Sequence, residues 1–394
     1  MTAYAAVMTA KATGPIATIQ LHGNSAEKII KKIFSPDSKK TPQLKPGKIL
    51  VGTIKKQNTI IDHVAIACLD ENNFAIHPHG NPIIVEKIVK LLKSNKAKII
   101  SADQLLAKTL SADKNLNSIA IEAKLNLPKA QTLTGTKLIA NQIEKGLNQT
   151  AQNWLDDINS DNLEKIKAHT QQILNDTAIA KFLIRRSTVI IAGPPNAGKS
   201  TLLNTLCGKT KAVVTEIPGT TRDWVSADCQ IGPLPTTLID TAGLDRQLTK
   251  TSEGDIEKLA QQKSLKLLAD ADIVLLVLDL SQPADQLSQA LLEKIAGKKI
   301  LTNLNKSDLT QKLDEKNLPP NLTQKVKMSA KTGHNLEILI EQIQKISRIE
   351  SLDLNAPICT TDRQKSLIKK LAAANSTPTA SSLIQQLLNA PLRV

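Results

Sequence analysis

Apolar residues along this chain keep strand spacing at first, switch to helical spacing, and then alternate between the two. Pro15–Leu21, Ile49–Lys55, Thr59–Cys68 and Asn73–His77 are short, partly alternating apolar runs, and they predict strands. Asn24-Ser25-Ala26-Glu27 supplies N-cap chemistry for a helix over Glu27–Phe34. His77-Pro78-His79-Gly80-Asn81-Pro82 reads as a turn leading into a second helix, Ile83–Leu92. Its two histidines lack a third ligand at metal spacing, so they are read as turn residues. Residues 1–112 are therefore expected to form an α+β domain.

From 113 to 185 apolar residues recur every three or four positions, over Leu133–Leu147 and Leu155–Leu183, with Gln and Lys between them. That spacing predicts a helical bundle or arm. From 186 to 348 the strand candidates are Thr188–Ala192, Thr237–Asp240, Ile273–Leu280, Lys299–Asn303 and Lys325–Ser329, with helical patterns between most of them. Such alternation implies a mainly parallel sheet covered on both faces, with ligands at the carboxyl ends of its strands. Residues 349–394 turn helical again, over Asp362–Ala374 and Ala380–Asn389, broken at Asn375-Ser376-Thr377-Pro378. This tail is expected to pack back on the helices of 113–185. The expected fold class is multidomain α/β and α. An α/β domain (186–348) is inserted in a discontinuous helical domain (113–185 plus 349–394) and preceded by the α+β domain.

Composition refines the picture. The 394 residues exceed one ordinary core, and a chain 41% hydrophobic but 2% aromatic must build its cores from aliphatic side chains. Few aromatics also argue against a surface that stacks exposed bases. The formal charge of +15 fits either a polyanionic partner such as RNA or simple solubility, since the lysines are scattered. Cys68, Cys207, Cys229 and Cys359 form no C-x-x-C pair, and are expected to be buried, reduced thiols of a cytoplasmic protein. No signal peptide is expected in MTAYAAVMTAKATG, and no apolar run reaches membrane-spanning length.

The chemistry starts at Gly193-Pro194-Pro195-Asn196-Ala197-Gly198-Lys199-Ser200, followed by Thr201. It matches G-x-x-x-x-G-K-[ST] between a predicted strand and a predicted helix, the context of a phosphate loop. Glycines let backbone N–H groups close on phosphate, and the helix N-terminus adds positive potential. Lys199 would reach the β- and γ-phosphates and Ser200 would hold Mg²⁺. Gly219-Thr220-Thr221-Arg222-Asp223 can close over Mg²⁺ and the γ-phosphate through a threonine, Thr220 or Thr221. Asp240-Thr241-Ala242-Gly243 ends an apolar strand, with Asp240 toward Mg²⁺ through water and the Gly243 N–H toward the γ-phosphate. Asn305-Lys306-Ser307-Asp308 follows another strand, and the Asp308 carboxylate can accept from the N1–H and N2–H₂ edge of guanine. Adenine presents an acceptor at N1 and is rejected. Ser329-Ala330-Lys331 fits the loop that backs the base. Each motif is weak alone; in this order, each at a strand end or loop, they specify GTP/GDP. Leu244 follows the DTAG motif where Ras-like proteins carry a water-orienting glutamine, so another device must position the water.

These residues resemble the MnmE (TrmE) family of tRNA-modification GTPases. The resemblance rests on the phosphate loop with Asn196, the run Val214 to Asp223, Asp240-Thr241-Ala242-Gly243-Leu244 and Asn305-Lys306-Ser307-Asp308. It extends to Gly14-Pro15-Ile16-Ala17-Thr18-Ile19, to His79-Gly80-Asn81-Pro82, which is similar to the family's HGGP turn, and to Leu125–Leu147. It implies a Ras-like G domain and a K⁺-assisted GTPase acting in wobble-uridine (U34) modification, dimerising through its G domains and working with tRNA and a partner modification protein. By the same resemblance Asn196, Thr215, Ile217 and Thr220 are K⁺ ligands, and Glu257, with Glu253 as rival, orients water. It also implies a folate derivative in the N-terminal domain. The family's terminal C-x-G-K motif has no counterpart in Asn389-Ala390-Pro391-Leu392-Arg393-Val394. The alternative reading is a divergent GTP-regulated binding or assembly protein without tRNA-modifying chemistry, and a third is a ribosome-associated GTPase, which the charge of +15 permits.

Overall fold

The computed structural model describes residues 2–10, 13–37, 44–159, 161–209, 225–240 and 270–391. The chain divides into two units, Met1–Leu125 with Leu388–Val394, and Asn126–Leu387.

In the first unit the elements begin with β1 (Ala3–Val7), β2 (Ile19–His22), α1 (Ala26–Ile33), β3 (Phe34–Pro36), β4 (Ile49–Lys56) and β5 (Thr59–Asp70). They continue with β6 (Asn73–His77), α2 (Pro82–Ser94), β7 (Ala97–Ile99), α3 (Ala102–Ser111) and α4 (Ser118–Asn126). The strands form one seven-stranded sheet in the order β3-β4-β5-β6-β2-β1-β7. Ala26, Ile29, Ile30 and Ile33 repeat at three- and four-residue spacing, so α1 buries one face with Ile19, Leu21, Phe74 and Ile76 of the sheet.

The turn after β6 is built as its composition suggests. Asn81 caps α2 by accepting the Ile83 N–H at 2.8 Å, and Pro82 occupies the first turn, where no donor is needed. A Cβ on Gly80 would lie 2.2 Å from the Gly14 carbonyl oxygen, so only glycine admits this crossing. His79 binds the Asp62 carboxylate through its Nδ1 and its backbone N–H, each at 2.8 Å, as part of the turn. Among the described residues no group of three or more His, Cys, Asp or Glu could hold a metal ion.

Two strand readings change. Regular pairing of β2 begins at Ile19 rather than Pro15, because the Gly14–Pro15 backbone instead bonds Gly80. β1, paired with β2 and β7, carries no strand signal in the sequence because small alanines supply its buried positions.

The second unit starts with α5 (Leu133–Glu144), α6 (Gly146–Asp157), α7 (Leu163–Ile184), β8 (Ser187–Ala192), α8 (Lys199–Lys209), β9 (Val225–Ile231) and β10 (Leu234–Asp240). It ends with β11 (Ile273–Asp279), α9 (Gln289–Ile295), β12 (Ile300–Asn305), β13 (Lys325–Lys327), α10 (Leu336–Ser347), α11 (Asp362–Ala372) and α12 (Thr377–Asn389). The helical spacing over Leu155–Leu183 spans a break: Asn159 accepts the backbone N–H groups of Asp161 and Asn162, a turn that stops α6 before α7 starts. Gly135 of α5 lies against α7, where a Cβ would stand 2.4 Å from the Leu183 oxygen. Gln142 is fully buried and bonds Leu138, Leu147, Ala356 and Ile358, tying α5 to the segment before α11.

The sheet of this unit has the order β13-β12-β11-β8-β10-β9. All its pairings are parallel except the β9–β10 hairpin, a strand the sequence pattern did not suggest. Every residue of central β11 is buried, as expected of a strand covered on both faces. Parallel pairing brings the carboxyl ends of β8, β10, β11, β12 and β13 to one edge. This multidomain α/β arrangement, an N-terminal sheet unit followed by helices and a Ras-like sheet, is the one expected from the sequence. Both cores are mainly aliphatic; Phe34 and Phe74 are the aromatic residues in the core of the first unit and Phe182 that in the main core of the second.

Candidate nucleotide site

The loop after β8 opens with Gly193 at φ +147°, where a Cβ would stand 2.1 Å from the Val277 carbonyl oxygen. Asn196 follows in the left-handed region at φ +62° with an exposed side chain, and Gly198 stands at φ +96°. Alternating backbone signs of this kind turn successive N–H groups toward one concavity. Lys199 opens α8, is 4% exposed, and donates to the carbonyls of Gly193 and Pro194 at 2.7 and 2.9 Å. Its ammonium is thereby held within the loop. The Ser200 hydroxyl donates to Asp240 Oδ2 at 2.5 Å, so the phosphate-loop serine and the aspartate ending β10 meet.

Asn305 connects this loop to the rest of the site. It is 3% exposed; its Nδ2 donates to the Ala197 carbonyl at 2.8 Å, and its Oδ1 accepts the Ala330 N–H at 2.8 Å. One carboxamide thus fixes the loop after β8 against the loop after β13. Thr205 of α8 adds a second tie, donating to the Ala330 carbonyl at 2.8 Å. Lys306 takes a left-handed backbone, φ +63°, and its ammonium binds Asp279 Oδ2 at 2.6 Å. Burial alone would raise the Asp279 carboxyl. The Lys306 ammonium and the Ser281 hydroxyl and N–H outweigh it and hold the carboxyl below its ordinary value.

Asp308 lies at the solvent edge. Its carboxyl is held below the ordinary range by the Ser329 hydroxyl first, then by its own backbone N–H and the charges of Lys331 and Lys306. Buried Ser329 also accepts the Thr332 N–H at 3.3 Å, which orients the hydroxyl. An ionised, oriented carboxylate at a rim can accept two donors from a planar base edge.

The structure therefore gathers Asn196, Ala197, Gly198, Lys199, Ser200, Asp240, Asn305, Lys306, Asp308, Ser329, Ala330 and Lys331 along one sheet edge. Thr215, Ile217, Thr220, Thr221, Thr241, Ala242, Gly243, Leu244, Glu253 and Glu257 lie outside the described residues. Sequence reasoning missed Asp279 and Thr205. The signal for Asp279 was present, as a lone carboxylate closing an otherwise apolar strand.

Comparison with known proteins follows the same division. The family profile "GTP-binding protein TrmE N-terminus" matches residues 3–104, and "50S ribosome-binding GTPase" matches residues 188–306. The tRNA modification GTPase MnmE of Endomicrobium trichonymphae is 32% identical over 376 residues, 88% of this chain and 81% of that protein. The chain belongs to the MnmE family. MnmE proteins of Clostridioides difficile and Thermotoga maritima are 28% and 29% identical, each over 93% of this chain and 86% and 87% of their own lengths. Likeness to MnmE thus spans both units and is not confined to the nucleotide motifs.

Proposed function

We propose that this chain binds GTP at the carboxyl edge of its six-stranded sheet, hydrolyses it to GDP and phosphate, and serves tRNA wobble-uridine modification in the cytoplasm. The observation that carries the nucleotide reading is Asn305, one buried side chain bonded to both the phosphate loop and the base-side loop. The Gly193–Ser200 backbone supplies donors for phosphate oxygens, and Lys199 supplies the charge that grows in value as the γ-phosphoryl group departs. Asp308 selects guanine, backed by Ser329, Ala330 and Lys331.

The residues fit Mg²⁺. Ser200 Oγ and an Asp240 oxygen are hard oxygen donors already brought together. Bound there, Mg²⁺ would neutralise charge on the β- and γ-phosphates. By motif alone, Thr221, Thr241, Ala242 and Gly243 are assigned to this part of the site. Asn196, exposed at the outer turn of the loop, is the K⁺ ligand of this reading, with Thr215, Ile217 and Thr220. A monovalent cation beside the loop would supply transition-state charge stabilisation, and Glu257 would orient water in place of Leu244.

A folate derivative is the reading for the first unit. Tyr4, His22, Asn24, Gln104 and Lys108 line a cavity of about 830 Å³ there. His22 Nδ1 is buried without a hydrogen-bond partner, and Lys108 Nζ sits 4.5 Å from the centre of the Tyr4 ring. An unpaired imidazole nitrogen and a cation suit a heteroaromatic ligand with carboxylates. A homodimer is supported by exposed Ile49, Val51 and Leu69 on β4 and β5. A partner modification protein completes the assembly.

GTP turnover measured in K⁺ and in Na⁺ tests the catalytic reading. K⁺ is expected to accelerate it, and Asn196→Ala to remove the acceleration while leaving GTP bound. Equal turnover in both salts, with Asn196→Ala neutral, sinks the K⁺ mechanism.

A further inference from the structure

The second unit holds a second cleft, at the opposite edge of the sheet from the nucleotide site. Its cavity of about 830 Å³ is bounded by the end of α7, the residues preceding β11 and β12, and the start of α11. Arg185 precedes β8, Asp272 precedes β11 and Lys299 precedes β12, so these are the amino ends of three parallel strands. Lys181, Arg185, Lys299 and Lys365 line the cleft from three separate elements.

One carboxylate organises two of these cations. Asp272 accepts from Lys181 Nζ at 2.8 Å, from the Arg185 guanidinium at 3.0 and 3.2 Å, and from the Thr188 N–H at 3.0 Å. Its side chain is 8% exposed, whereas those of Lys181 and Arg185 are 47% and 44% exposed. The cations are thus held in place yet open to solvent, with one negative charge shared between two positive ones. Lys299 stands 4.6 Å over the Phe182 ring. Burial pushes its ammonium below the ordinary range; Arg348 and Lys181 push the same way, against Asp272. Positive charge is crowded here, and an anion would relieve it.

We infer that this cleft is a docking surface for the phosphodiester backbone of RNA, separate from the nucleotide site; the inference rests on the tRNA reading above. The cations are spread over three elements around a space much larger than one phosphate, which suits successive phosphates of a strand better than a single small anion. The charge of +15 and the scarcity of aromatic residues agree with reading the backbone rather than stacking bases.

The test is tRNA affinity measured against salt concentration for the full chain and for Lys299→Gln/Lys365→Gln. Each lost phosphate contact should lower the slope of log affinity against log salt by about 1, so the double variant should lose about 2. Affinity near 0.1 M salt should fall by a factor on the order of 100. GTP turnover should stay at wild-type level, which also reports folding. Lys299→Arg/Lys365→Arg should keep the wild-type slope, and Lys93→Gln/Lys98→Gln, equal in charge but in the other unit, should change it far less. Wild-type slope in the Gln variant, with wild-type protein binding tRNA, overturns the docking surface and leaves the tRNA reading intact. No tRNA binding by wild-type protein overturns both. Displacement of tRNA by inorganic phosphate or polyglutamate at matched ionic strength also overturns the RNA assignment.

Discussion

A carboxamide has one donor group and one acceptor, and Asn305 uses them to join two loops that a bound nucleotide would have to span. Replacing it by alanine leaves the Ala197 carbonyl and the Ala330 N–H buried without this partner. Such orphaned groups cost about 1–3 kcal/mol each. Asn305→Ala should therefore lower the urea midpoint and weaken GTP binding together, as unfolding and nucleotide titrations will report. Asp308→Ala removes the carboxylate that would accept from the guanine edge, so GTP affinity should fall about 100-fold, with discrimination against ATP lost. The pH response has a definite sign. A depressed carboxyl pKa gives interactions that persist above it and vanish as pH falls through it. With Ser329 holding Asp308 low, guanine binding should stay flat from about pH 7 to 5 and fail only below the ordinary carboxylate range near 4. Ser329→Ala should move that failure upward, and a binding curve unchanged in the variant contradicts the role given to the hydroxyl. The candidate nucleotide residues were legible because their motifs are local. Asp279 showed only as a lone carboxylate ending an apolar strand, because its partner Lys306 lies 27 residues away and they meet only after β11 and β12 pair.

At the scale of elements, the loop after β8 is shaped by contacts that only glycine allows. Gly193→Ala forces a Cβ against the Val277 oxygen at a positive φ, and the loop must move. A loss of GTP affinity of at least about tenfold is expected, with a wild-type far-ultraviolet circular dichroism spectrum. Helix α7 depends on Asp272, which holds its last turn to β8 and β11. Asp272→Ala should cost about 1–3 kcal/mol in urea unfolding and expose the end of α7 to proteolysis. Strongly periodic helices and all-apolar strands were readable from spacing alone. The break between α6 and α7 was not, because one Asx turn outweighs an apolar period that runs through it. β1 escaped notice for the opposite reason: its alanines fill a crowded sheet without giving a hydrophobic signal.

The chain holds a sheet unit and a second unit of helices and a six-stranded sheet, and the changes of apolar spacing along the sequence carry that fold class. Cysteine usage follows burial. Cys68, Cys229 and Cys359 are buried while Cys207 is half-buried, so the expectation of four fully buried thiols holds for three. Native-state thiol labelling should modify Cys207 first, with all four reacting in denaturant; equal native rates contradict the burial described. Among the described residues no helix is long and apolar enough to cross a membrane. The link between the guanine site and RNA chemistry is tested most directly by mass-spectrometric analysis of wobble uridine in tRNA from a strain lacking this chain. Modification should disappear on deletion, return with the wild-type chain, and fail to return with Asp308→Ala. Unchanged uridine modification in the deletion strain would contradict the account while leaving the nucleotide site in place.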